Sequence, residues 1–131
     1  MAQITTKKIV EGLNNLVLHA YFESDGFEGE MNNVVLLSPS ELIPPLPGAP
    51  TFRIVKIWAA LNFALTLKYN SQVPTPVWVI SGGFSQQMDF DRFGGLSDYT
   101  ATNSDGKLLV SSSGFASSGT NGSLVIEFRK P

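Results

Sequence analysis

The sequence predicts an all-β fold, a single-domain antiparallel β-sandwich or jelly roll of about eight strands. Three observations carry this expectation. Leu61-Asn-Phe-Ala-Leu-Thr-Leu-Lys-Tyr69 places large apolar side chains at every second position, the period of a half-buried strand. That pattern returns in other short segments, each bounded by Gly, Pro, Asn or Asp. No 3.6-residue period runs long enough for a helix. The 131 residues fit one domain, and a chain of this length buries roughly two-thirds of its unfolded surface, enough for a core without staples.

Residues 1–13 form a short element or N-terminal arm. The stretch Thr5-Thr-Lys-Lys-Ile-Val-Glu-Gly-Leu13 reads equally as a helical turn, a short strand or a mobile arm. The β-sandwich domain spans residues 14–131. Its first strand is expected at about 15–23, with Leu16, Leu18, Ala20 and Phe22 on one face and Val17, His19, Tyr21 and Glu23 on the other. Ser24-Asp25-Gly26 then signals a turn. A strand at about 30–38 carries Val34-Val-Leu-Leu37, a continuous apolar run that predicts cover on both faces, from a second sheet or a neighbouring subunit. Residues 39–50 hold five of the eight prolines. Proline has no donor for a sheet ladder, so this is a Pro-rich loop, read as a crossover or as an arm that touches a neighbour. Strands follow at about 52–59 and 61–69, and Pro74-Thr-Pro76 resets the chain before Val77-Trp-Val-Ile80. Residues 82–106 are rich in Gly, Ser, Asp and Asn, with a short strand expected near Met88–Phe93. Asp105-Gly106 leads into a strand from Lys107, Ser117–Gly122 is a loop, and Leu124–Arg129 closes the sheet. The expected core includes Leu18, Phe22, Ile54, Trp58, Phe63, Leu65, Leu67, Trp78, Ile126 and Phe128.

Composition narrows the classes of function. Charged residues make up 15% of the chain, against ~25% in a typical globular protein. Such a surface is covered by Ser, Thr, Asn and Gly or is hidden in an assembly. The nine Lys and Arg are scattered, with adjacent pairs only at Lys7-Lys8 and Arg129-Lys130, and the net charge is −2. Nothing there makes the positive stripe that phosphate neutralisation needs, so no nucleic-acid partner is expected. The absence of cysteine excludes disulfides and thiolate metal sites. The first residues lack the apolar run of a signal peptide. The densest apolar run, Ile54–Leu67, is interrupted by Lys56 and Asn62, so no membrane partner is expected.

Candidate chemistry is sparse. His19 is the single histidine, and a hydrolytic triad has to be built on it; its strand neighbours are apolar or aromatic and no Gly-x-Ser-x-Gly elbow exists. Asp25, Glu28 and Glu30 offer oxygen ligands for Ca²⁺, but their spacing does not fit an EF-hand loop, and an acidic surface loop is expected. Asp89 and Asp91 share one face if they lie on a strand, with Arg92 placed to neutralise one of them; a solvated or ion-paired face is expected rather than a glycosidase pair. Gly82-Gly83 and Gly94-Gly95 form no phosphate loop. Trp58 and Trp78 would serve a sugar-binding face if exposed, but sit in apolar strands where packing is the commoner fate. No catalytic residue, cofactor or metal is expected.

Six strings carry a resemblance: His19-Ala-Tyr-Phe-Glu-Ser-Asp-Gly26, Glu30-Met-Asn-Asn-Val-Val-Leu-Leu-Ser-Pro39, Val77-Trp-Val-Ile-Ser-Gly-Gly83, Asp91-Arg-Phe-Gly-Gly-Leu96, Gly106-Lys-Leu-Leu-Val-Ser-Ser-Ser-Gly-Phe115 and Gly122-Ser-Leu-Val-Ile-Glu-Phe-Arg-Lys130. Together they resemble small virion structural proteins of tailed bacteriophages, most of all the capsid decoration, or cement, proteins. The resemblance implies a non-enzymatic protein on the capsid exterior, assembled in the host cytoplasm. It implies binding to the major capsid protein and self-association, with a trimer favoured. The expected contacts are Ile4, Lys7, Lys8 and Ile9 in the N-terminal segment and Leu42, Ile43, Pro44, Pro45, Leu46 and Pro47 in the proline loop. The alternatives are a neck, tail or head-fibre component, or a carbohydrate-binding β-sandwich module.

Overall fold

Alternation of buried and solvated side chains organises the chain into strands. The computed structural model describes residues 4–12, 14–24, 26–27, 29–38, 53–70, 74, 76–83, 85–96, 107–115 and 119–129. Within them lie nine strands: β1 (Ile4–Glu11), β2 (Asn15–Glu23), β3 (Val34–Leu37), β4 (Arg53–Leu61), β5 (Ala64–Tyr69), β6 (Pro76–Ile80), β7 (Ser85–Asp89), β8 (Leu108–Ser113) and β9 (Asn121–Arg129). They form two antiparallel sheets, one ordered β1-β2-β9-β4-β7 and the other β3-β8-β5-β6. The expected sandwich is therefore present, with one strand more than the eight anticipated.

One hydrophobic cluster joins the two sheets. Leu16, Leu18, Ala20 and Phe22 of β2 and Leu124, Ile126 and Phe128 of β9 enter it from one side, and Leu65, Leu67 and Tyr69 of β5 with Leu108 and Val110 of β8 enter from the other. Each fully buried Leu or Phe contributes about 1.5–3 kcal/mol. Phe63 lies in the tight link between β4 and β5. Its ring meets Phe22 edge-on at 5.7 Å and Phe115 at 4.7 Å, tying the two sheets at this end.

The remaining expectations are refined by local geometry. Residues 4–11 form a strand paired along its length with β2, which decides among the three readings of the N-terminal segment. The strand expected near 88–93 lies instead at 85–89. The Phe90 amide turns to the Val55 carbonyl at 2.7 Å, and Asp91–Phe93 wind into one 3₁₀ turn. That turn ends at Gly94, whose φ of 79° is left-handed and whose amide donates to the Asp91 carbonyl. In β3, Leu36 and Leu37 are buried but Val34 and Val35 are exposed, so the described residues do not cover both faces of this run. β3 is an outer strand, and its register shifts between Val35 and Leu37.

Trp58 is the main correction to the expected core. Ile54 and Trp58 have the same parity, and the expected core includes both. A β-bulge between Ile54 and Lys56 inserts Val55 and reverses the phase of the strand. Ile57, Ala59 and Leu61 point inward, while Lys56, Trp58 and Ala60 point outward. Trp78 does face the core, opposite Leu67 and edge-on to Phe90 at 4.9 Å, but β6 is an outer strand and the indole is only partly buried.

Candidate functional site

Five strands present their outward side chains in cross-strand rows. One row runs Lys7, His19, Val125, Trp58 and Gln87 across β1, β2, β9, β4 and β7. The next runs Thr5, Tyr21, Ser123, Ala60 and Ser85. On the β9–β4–β7 side, the first row is large and the second is small. The step in side-chain size leaves a cleft of about 450 Å³. Trp58, Ala59, Ala60, Ser85, Gln86, Gln87, Ser123 and Val125 line it. Gln86 donates its amide to the Ser81 carbonyl, while Gln87 and Ser85 are exposed. Sequence reasoning weighed Trp58 as a sugar platform but assigned it to the core, although one signal pointed outward. Lys56 shares the parity of Trp58, and a lysine marks the solvated face of a strand.

The sheet margins form the second feature. β1 and β7 bound one sheet, β3 and β6 the other. Ile9 and Val10 on β1 are 53% and 50% exposed, Val34 and Val35 on β3 are exposed, and Val79 on β6 is 54% exposed. Of the expected contact residues, Ile4 packs against the core, Lys7 is exposed beside His19, and Ile9 sits at a register shift between Lys8 and Val10. Lys8 pairs with Glu11 at 2.9 Å, three residues away. Leu42, Ile43, Pro44, Pro45, Leu46 and Pro47 lie outside the described residues.

Titratable side chains serve the scaffold where their partners are seen. The opposed neighbours of His19 are Lys7 and Val125, neither of which carries the hydroxyl or carboxylate of a hydrolytic triad. The carboxylate of Glu30 accepts from Ser112 Oγ at 2.8 Å and from the Phe115 amide at 3.0 Å. The adjacent Met31 amide donates to Ser112 Oγ at 2.8 Å, so this segment is stitched to the end of β8. Asp25 and Glu28 lie outside the described residues, and no group of three metal-ligating side chains occurs among those described.

Asp89 ends β7 and Asp91 opens the 3₁₀ turn, so they do not share a strand face. The Asp91 amide donates to Asp89 Oδ1, and the Asp91 carboxylate pairs with Arg129 rather than with its neighbour Arg92. A pocket of about 340 Å³ beside this pair is lined by Lys56 and Arg129 but also by Asp91 and Glu127, which balance them. Burial pushes the hydroxyl of Tyr69 well above the ordinary phenol range, and the nearby Arg53 only partly opposes this. The hydroxyl donates to the Leu96 carbonyl at 3.3 Å. None of the described arrangements combines a nucleophile, a base and an oxyanion site. They present an aromatic cleft with neutral polar walls, and apolar side chains along the sheet margins. No protein-family model and no curated protein matches the chain.

Proposed function

We propose that this chain is a virion structural protein that binds the outside of an assembled phage capsid, engages the major capsid protein and self-associates, most simply as a trimer. One observation carries the reading beyond the sequence resemblance. Three of the four sheet margins, β1, β3 and β6, present exposed Ile or Val side chains. Margins of this kind suit contact with other subunits. On β1 the Lys8–Glu11 pair sits on the core-facing side of the strand, opposite Leu18 and Leu16. Inward charges blunt indiscriminate strand addition, so the reading places contact in the outward side chains.

The mechanism is linkage. A protein that binds the closed lattice and not the free capsid subunit raises the free energy of disassembly. Each contact can be weak, because a multimer that touches several capsid subunits gains from high effective concentration. In virions that carry the chain, copy number should match the capsid lattice rather than a single ring. Light scattering of the purified protein should give about three times 14.2 kDa. The paired change Ile9→Asp and Val10→Asp should lower capsid occupancy while the β-type circular dichroism stays intact. A copy number of one ring would move the chain to the neck or tail, and its absence from particles would end the virion reading.

A further inference from the structure

We propose that the outward face of the five-stranded sheet carries a binding site for a neutral saccharide, with a sugar ring stacked on the indole of Trp58. The site reaches the β7 margin but uses none of the margins that expose Ile or Val, and it does not rest on capsid attachment.

The sequence builds the site by two devices. The bulge at Val55 turns an indole outward that strict alternation from Ile54 would have buried. The neighbouring row Ser123–Ala60–Ser85 is short, so the indole borders an open cleft instead of a packed surface. Its volume of about 450 Å³ falls in the range of roughly 300–1,000 Å³ typical of small-molecule sites.

The lining selects the ligand. None of the eight lining residues is ionisable, so no opposite charge there repays the desolvation of an anion or of a strongly hydrated cation. An apolar platform from Trp58 and Val125 lies beside the hydroxyls of Ser85 and Ser123 and the amide of Gln87. Amides and hydroxyls both donate and accept, which matches a ring whose edge is a set of hydroxyls and whose face is C–H. A sugar needs both at once, whereas a lipid tail would leave the polar wall unpaired. A second copy of the chain is the competing occupant, and the test below separates it from a sugar.

The test is affinity electrophoresis of the purified full chain in gels containing dextran, soluble starch, yeast mannan or galactan, followed by titration calorimetry with oligosaccharides of the retarding polymer. At least one polymer should retard the protein. Trp58→Ala should weaken binding by about tenfold or more, the scale of a hot-spot truncation. Ala60→Gln, which fills the step without touching the core, should do the same. Thr66→Ala on the other sheet should bind as the native chain does. Circular dichroism and melting temperature of the variants report whether folding is retained, and Ala60→Gln decides the matter if Trp58→Ala unfolds. Failure of all four polymers to retard the chain would overturn the proposal, as would retardation that survives both cleft variants. So would sedimentation showing a dimer that Trp58→Ala dissociates, since that assigns the face to a second copy. Capsid occupancy is measured on virions and is unaffected by any of these outcomes.

Discussion

Replacing Gly122 by Ala sets two opposed effects against each other, and the structure says which wins. Gly122 lies in β9, opposite Phe22 on one side and Leu61 on the other. Its φ is not left-handed, so alanine is sterically allowed by its own backbone. Taken alone, the change would stabilise the protein by about 0.4–1 kcal/mol through the lower entropy of the unfolded chain. The neighbours reverse that sign. A Cβ at 122 would lie 2.5 Å from Leu61 Cδ2, 2.8 Å from Leu61 Cα and 2.9 Å from the Ala60 carbonyl oxygen. Unstrained carbon contacts sit at about 3.5–4.0 Å.

The Leu61 methyl can rotate away, but the other two atoms belong to the β4 backbone and are held by the β4–β9 ladder. Overpacking of this kind costs about 1–3 kcal/mol, so the net loss should be about 1–2 kcal/mol. In urea, with a slope of about 1–3 kcal/mol per molar, the midpoint should fall by roughly 0.5–1 M at unchanged slope. Combining Gly122→Ala with Leu61→Ala should shrink the glycine penalty only in part, with a coupling of about 0.5 kcal/mol, because the methyl contact is gone and the two backbone contacts remain. A Gly122→Ala protein as stable as the native chain, or more so, would refute the reasoning.

Two further outcomes follow from polar side chains. Tyr69 keeps its proton to higher pH in the folded protein than in the unfolded chain, where a phenol titrates near 10. Its contribution is therefore complete below pH about 10 and is lost as pH rises toward the folded value, with a slope of up to about 1.4 kcal/mol per pH unit. Urea midpoints taken on the alkaline side should fall less steeply for Tyr69→Phe than for the native protein, and parallel profiles would contradict the buried-phenol account. Glu30→Gln removes the charge from the bonds to Ser112 Oγ and the Phe115 amide but keeps an acceptor oxygen, and should cost about 0.5–1.5 kcal/mol in thermal unfolding. Calcium and chelator should leave that melt unchanged, because these oxygens are already engaged.

Strands that pack one face on the core were legible. β2, β5 and β9 alternate without interruption, and Leu18, Phe22, Phe63, Leu65, Leu67, Ile126 and Phe128 are buried as their parity requires. The margins were not legible, for a physical reason. β1 has seven of its eight positions paired on one side only and mostly solvated, so Thr5, Thr6 and Lys7 carry no apolar period to read. β7, Ser-Gln-Gln-Met-Asp, lacks a period for the same reason. Hydrophobic alternation reports the core, and it fades in strands that help close the core without filling it.

The less legible positions are also those left free to act, and bulges connect the two properties. Three register shifts fall beside exposed or outward apolar side chains: at Ile9 in β1, at Leu36 after Val34 and Val35 in β3, and at Val55 before Trp58 in β4. A bulge inserts one residue and re-aims every side chain beyond it. In β4 this has two consequences at once. Ile57, Ala59 and Leu61 complete the core, and Trp58 is released to the surface without any loss of apolar content from the strand. A chain that kept strict alternation from Ile54 would bury Lys56 and Trp58 and expose Ile57 and Leu61, which is unfavourable for the lysine alone. The charge at Lys56 and the apolar side chains at 57, 59 and 61 thus jointly require the extra residue. The outward indole and the cleft beside it are a consequence of how the core was closed.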